Sequence, residues 1–175
     1  MTFQALMDEH GSIEHFKKRA HVFSQGAKSN SIYLVKQGAL KAYYLDLDGK
    51  EYVKSLLFTG NTIASIKALQ GDVCSFSLIC LEDTSVYKLS YDKIKDIALS
   101  NLSVANSVID LLMQFGIKKE RREFELLTLS AEQRYQQLLA STPDIHQRVT
   151  QNDMARYLGI TPVALSRIKH KPSIT

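Results

Sequence analysis

The 175-residue chain has only two cysteines, Cys74 and Cys80, and no apolar run near the roughly 18–20 residues a membrane span needs. On one strand the two cysteines would sit about 20 Å apart, since a strand rises about 3.3 Å per residue, so they could not bond to each other. They read as buried free thiols in a reducing compartment. A sensor cluster built on cysteine would need more ligands than these two. The N-terminus lacks an apolar stretch ahead of a small-residue cleavage site, so no signal peptide is expected and a cytoplasmic location is. Nothing in the chain pairs a nucleophile with a base, spaces His, Cys and carboxylates for a metal, or forms a glycine-rich phosphate loop. No metal site is expected and the chain does not read as an enzyme. There are no internal repeats and no low-complexity segment.

Charge of one sign is also scarce where it matters. The net charge is +4, too mild to name a partner by itself. Residues 1–100 hold 12 Lys+Arg against 11 Asp+Glu, whereas residues 129–175 hold 6 against 3. From Met154 onward there is no Asp or Glu, only Arg156, Arg167, Lys169 and Lys171. A one-sign surface of this kind suits contact with phosphates. The runs Lys17–Arg19 and Lys118–Glu123 read as solvated edges instead.

The hydrophobic period divides the chain. The first twenty residues read as helical, with Phe3, Leu6, Met7, Ile13 and Phe16 apolar. From about Ala20 to Leu89 short strands alternate with turns. Val22-Phe23, Ile32–Val35, Leu40–Leu45 and Tyr52–Phe58 are the first of them, with Asp48-Gly49 a strong hairpin signal between the last two. Phe76–Leu81 and Ser85–Leu89 read as a final strand pair. Many short, evenly spaced strands suggest a closed or sandwiched antiparallel fold. Tyr91–Leu99 is a short helix. A longer one follows, with Val104, Val108, Leu111, Leu112 and Phe115 on one face, able to pack on the β-structure or on a second copy. Leu126–Ser130 breaks the pattern, Ser130 caps a helix over Ala131–Leu139 with Gln133 three residues on, and a short strand is expected around Gln147–Val149. The last residues, Lys171–Thr175, read as frayed.

Thr150–His170 reads as a helix-turn-helix, which makes double-stranded DNA the expected partner. Met154, Leu158, Ile160, Leu165 and Ile168 are the buried positions of two short crossed helices, and the small Ala155 lets them approach. Gly159 sits where the turn needs a positive φ. Thr150 caps the first helix, with Asp153 three residues on. Thr161 caps the second, and Pro162 occupies its first turn, where no amide donor is needed. Pro162, Val163, Ser166, Arg167 and Lys169 are left exposed. An ordinary helical hairpin shares the apolar spacing but does not account for the charge.

Read in order, these segments resemble the Crp/Fnr superfamily of bacterial transcription regulators. Phe23–Gly26, Ile32–Val35, Gly38 and Tyr43–Gly49 are similar to the start of a cyclic-nucleotide-binding β-roll, and Phe58–Asn61 and Leu81–Thr84 to its later turns. Leu126–Tyr135 resembles the family's hinge and first DNA-domain helix, and Leu158–Arg167 its helix-turn-helix. Members that bind cyclic AMP carry a Gly-Glu pair and, some ten residues on, an Arg followed by Ser or Thr. The Arg neutralises the cyclic phosphate and the Glu takes the ribose hydroxyl. Here those positions are Ala64-Ser65 and Cys74-Ser75, and Asp72–Leu81 contains no Arg or Lys. Lys67 is out of register. A buried phosphate would lack its charge partner, so cyclic AMP is not expected to bind in the usual way, and no cofactor is expected. Iron–sulfur sensing would need an N-terminal cysteine cluster, which is absent. The histidines, His10, His15, His21, His146 and His170, fall off the central strands, which argues against a haem or cupin-type metal site.

The expected fold is α+β: an N-terminal antiparallel β-roll (a double-stranded β-helix) over 1–100, a long dimerisation helix over 101–128, and a C-terminal winged-helix-type helix-turn-helix over 129–175. The resemblance implies a homodimer on a near-palindromic operator, with RNA polymerase as a further contact. Thr150, Gln151 and Lys169 would hold phosphates. Ser166 and Arg167 would read base edges, beside Thr161, Pro162 and Val163. The alternative is a small-molecule-binding β-roll acting through a protein partner, which salt dependence would separate from DNA binding. The effector is open.

Overall fold

The computed structural model describes residues 1–170; the C-terminal Lys171–Thr175, including one cation of the basic tail, lie outside the described residues. The chain runs α1 (Phe3–His10), β1 (Ser12–Phe16), β2 (His21–Phe23), β3 (Ser31–Gln37), β4 (Ala39–Leu45), β5 (Glu51–Phe58), β6 (Thr62–Ile63), α2 (Ile66–Leu69), β7 (Ser77–Cys80), β8 (Thr84–Ser90), α3 (Tyr91–Ser100) and α4 (Leu102–Thr128). Four helices follow, α5 (Ala131–Ser141), α6 (Ile145–Arg148), α7 (Gln151–Leu158) and α8 (Pro162–Lys169).

Two four-stranded antiparallel sheets, ordered β1-β8-β3-β6 and β2-β7-β4-β5, face each other. Side-chain alternation along a strand explains the two cores they serve. On β3, Tyr33 and Val35 enter the core between the sheets with Leu40, Leu78 and Val86. Ile32 and Leu34 point the other way, onto α1, α3 and α4 with Leu6, Met7, Ile94 and Val104. On β4, Leu40 and Ala42 face inward. Lys41 is thereby turned outward, toward the C-terminal helices. A third cluster, built on Tyr135, Ile145, Met154, Leu158 and Leu165, packs against Leu56 and Phe58 of β5 and Leu81 just after β7.

The strands follow the sequence reading closely, with three corrections. Residues 12–16 are a strand, not helix: the backbone N–H of Gly11 closes α1 on Met7 O at 2.9 Å, and β1 then finds its hydrogen bonds on β8. The strands β7 and β8 do not pair with each other. Gly38 sends the chain from one sheet to the other with φ +110°, and any side chain there would collide with Thr84. Since β3 and β4 part company at that corner, β7 follows β4 and β8 follows β3. Finally, Ile145–Arg148 is a short helix where a strand was expected, with only Val149 extended after it.

The long helix carries both apolar faces that its sequence allows. Val104 and Leu111 are buried on the roll, with Val108 and Phe115 packed beside them. Leu112 does not share that face. It is exposed together with Ile109, Met113, Ile117, Phe124 and Leu127. At about 100° per residue Ile109, Met113, Ile117, Phe124 and Leu127 fall on the side of α4 turned away from the roll, with Leu112 at the margin of that stripe. No helix among the described residues is long and apolar enough to cross a membrane.

Candidate nucleic-acid interface

Each junction of the C-terminal unit is set by a local device. Ser130 and Gln133 form a reciprocal capping box at the start of α5. The Thr150 hydroxyl accepts from the Asp153 amide at 3.1 Å and donates to its carboxylate at 2.9 Å. Gly159 ends α7 in the left-handed region (φ 71°), and the Ile160 amide reaches back to Ala155 O at 3.0 Å. The Thr161 hydroxyl accepts from the Ala164 amide at 3.1 Å, with Pro162 at the first helical position of α8. Arg134 on α5 donates to Leu158 O, tying its charge to the negative end of α7.

Met154, Ala155, Leu158 and Leu165 are buried between α7 and α8, and Ile160 and Ile168 pack at the margin. This leaves Thr150 and Gln151 exposed at the start of α7, and Thr161, Pro162, Val163, Arg167 and Lys169 exposed along α8, with Ser166 half-buried. Val163 is 62% exposed, so an apolar side chain stands in water at the outer face of the second helix. The structure thus brings the eight residues read from the sequence onto two neighbouring helix N-termini and one outward helix face.

The sequence did not reveal how this unit is held to the roll. Lys41 Nζ lies 2.8 Å from Asp153 Oδ1 and 2.9 Å from Glu51 Oε2, and Arg156 Nη1 lies 2.6 Å from the same Glu51 oxygen. Burial alone would push the Lys41 ammonium down, but its bonds to Asp153 and Glu51 outweigh that and hold it above the ordinary lysine range. A second link joins Arg148 to Glu82 at 2.6 Å and to Gly38 O at 3.0 Å, with the guanidinium over the Phe58 ring. Asp153 therefore does not complete a capping box. Its carboxylate takes the Thr150 hydroxyl and the Lys41 ammonium. The available signal was the lone Lys41 in the apolar strand ALKAYYL, since a buried charge needs a partner.

The degenerate cassette positions are also brought together. Ser65 precedes α2, and its hydroxyl accepts from the Ser75 amide at 3.1 Å. Ala64, Ser65 and Cys74 are buried, and burial pushes the Cys74 thiol up. None of the four carries a positive charge. Lys67 pairs with Asp72 at 3.1 Å, both of them exposed.

A family model described as the cyclic nucleotide-binding domain matches residues 13–101, just over half of the chain. The "Anaerobic regulatory protein" of Haemophilus influenzae is 26% identical over 164 residues, 87% of this chain, and the chain spans 63% of that relative, just under two thirds of its length. "Regulatory protein HlyX" of Actinobacillus pleuropneumoniae is 24% identical over 87% of this chain and 68% of its own. Among solved structures, FixK2 from Bradyrhizobium japonicum superimposes with a TM-score of 0.78 at 18% identity, covering 91% of this chain and 82% of that one. With its roll, its long helix and its crossed α7–α8 pair, the chain belongs to the cyclic nucleotide-binding domain family and, within it, to the Crp/Fnr superfamily.

Proposed function

We propose that the chain is a DNA-binding transcription regulator that holds a near-palindromic operator as a homodimer and is not controlled by cyclic AMP. One observation carries the reading. The outer face of α8 projects Arg167 and Lys169 into solvent, with no carboxylate from Met154 to the end of the described residues. A duplex major groove admits such a helix, and a basic face is what its phosphates require. Thr150 and Gln151 offer the amide end of α7 to one phosphate, and Lys169 a charge to another. Arg167 and Ser166 face base edges, and Val163 suits a thymine methyl.

The exposed stripe from Ile109 to Leu127 supports dimerisation through α4, because a contiguous apolar face on a monomer is costly in water. Two α8 helices related by that seam would enter successive major grooves about 34 Å apart.

The test is selection of random duplex DNA by the purified protein. An enriched palindrome with half-sites one helical turn apart is expected. A folded dimer whose DNA affinity shows neither sequence preference nor a fall with added salt would overturn the reading.

A further inference from the structure

Lys54, on β5, holds its head group against the core instead of in open water. Its Nζ lies 4.6 Å from the centre of the Phe76 ring, and Phe76 is fully buried in the roll. Lys119, on α4, comes within hydrogen-bonding reach of the same nitrogen. Both lysines border a cavity of about 320 Å³ where β5 meets α4, α5 and α7. Its wall carries six cations, Lys54, Lys118, Lys119, Arg121, Arg122 and Arg134, against a single carboxylate, Glu125. That carboxylate is already taken by Arg121, 2.9 Å away. The other five cations form no ion pair among the described residues. Arg122 adds an Nε that is buried and finds no acceptor among the described residues.

Two ammonium groups cannot share a hydrogen bond, because neither has a lone pair to accept with. Lys54 and Lys119 can bond only when one of them is a neutral amine. Lys54 is the one that gives up its proton, since burial, with Lys119 beside it, pushes it down to about 8. At pH 7 about a tenth of it is then free amine, against about one part in 3,000 for a lysine at 10.5. A free amine in a half-dry, positively charged enclosure is a nucleophile. The electrophile that suits it is small and neutral, so that it enters without cost, and leaves an anion on the nitrogen. Carbon dioxide has both properties. An acyl donor would only neutralise Lys54, whereas a carbamate supplies the negative group that the six cations lack.

We propose that Lys54 is a site of reversible carbamate formation with carbon dioxide. The Nζ lone pair attacks the carbon, an N–C bond forms, and one C–O π pair moves onto oxygen. The nitrogen then releases a proton to water, so amine and carbon dioxide give a carbamate and one proton. The new group stands beside Lys119, which becomes its charge partner. It also offers the shared wall an acceptor of the kind that Arg122 Nε is missing. The cassette positions take no part, since the wall meets them only at Ala64. The chemistry does not depend on whether the chain binds DNA.

The test uses the native full chain in neutral buffer equilibrated with isotopically labelled bicarbonate and carbon dioxide. Triethyloxonium converts any carbamate to a stable ethyl ester, which peptide mass spectrometry locates. A labelled ester is expected at Lys54. Lys17 and Lys95 should stay unlabelled, because each is exposed and paired with a carboxylate that keeps it an ammonium. Lys54→Arg should lose the label while keeping the charge. Lys119→Gln removes no ion pair, so its fold should survive, checked by circular dichroism. Below saturation its labelling at Lys54 should fall about tenfold, because the variant loses both the charge that frees the amine and the partner that holds the carbamate. Absence of the ester at Lys54, label spread evenly over the exposed lysines, or unchanged labelling in the folded K119Q variant would each overturn the proposal. Bound label that triethyloxonium leaves unesterified would be bicarbonate held as an ion, and would overturn it as well.

Discussion

Replacing Lys41 by methionine should loosen the C-terminal helices from the roll. The side chain keeps its length and its apolar stem but loses the ammonium that bridges Asp153 and Glu51. The Lys41 and Asp153 side chains are only 9% and 11% exposed, so water cannot replace what is lost. Removing one member of a buried pair costs roughly 3–5 kcal/mol, because the other charge stays behind in low dielectric. Two contacts reduce the damage here. Glu51 retains Arg156 at 2.6 Å, and Asp153 retains the Thr150 hydroxyl at 2.9 Å. The expected loss is therefore near the lower end, about 3 kcal/mol. The assay is urea denaturation followed by circular dichroism on K41M, Asp153→Asn and the double variant. Because the two groups touch, the cycle should show coupling of about 2 kcal/mol, the double variant losing less than the sum. The raised Lys41 pKa means its contribution is complete below the ordinary lysine range and is lost only as pH climbs through the raised value. The experiment at neutral pH thus reads the intact bridge. Additivity within about 0.5 kcal/mol would refute the argument that burial makes this pair interdependent.

Arg167→Ala should weaken specific DNA binding by about 1–3 kcal/mol, measured by fluorescence anisotropy on the selected operator; unchanged affinity would remove Arg167 from base reading. Lys54→Met should stabilise the protein at pH 7 by about 1–3 kcal/mol, because folding there holds a charged ammonium against burial. The sign follows from proton counts. The folded lysine releases its proton from about 8 while the unfolded one keeps it to 10.5, so stability of the parent rises with pH across that interval. The methionine variant should lose that rise, and a parallel pH profile would refute the assignment. Millimolar cyclic AMP should leave the melting temperature unchanged, since a ligand that binds only the native state must raise it. A clear upward shift would show that Ser65 and Ser75 suffice without the arginine.

Most of the elements were legible because their causes are local. Short apolar runs set off by turn residues, Asp48-Gly49 above all, placed β3, β4 and β5. The capping residues Ser130, Thr150 and Thr161, and Gly159 at its positive φ, marked the C-terminal helices within a residue or two. Where a local signal competed with a distant partner it failed. Residues 12–16 share the apolar content of a helix, but β8 offers them a row of backbone bonds, and the strand wins. Leu112 looked equivalent to Leu111, yet one residue is about 100° around a helix, and the roll covers only one side.

By itself the sequence determined most of the strands and the helices α3, α4 and α5, the crossed pair α7–α8 with its exposed basic face, and the loss of charge at the cassette. Each of these depends on residues within a few positions of one another. Only the tertiary structure decided which face of α4 meets the roll, that Lys41 meets Asp153 across 112 positions, and that cations from β5, α4 and α5 surround one cavity. Coulomb forces and desolvation act through space, and the chain separation between two charges says nothing of their distance until the cores have packed.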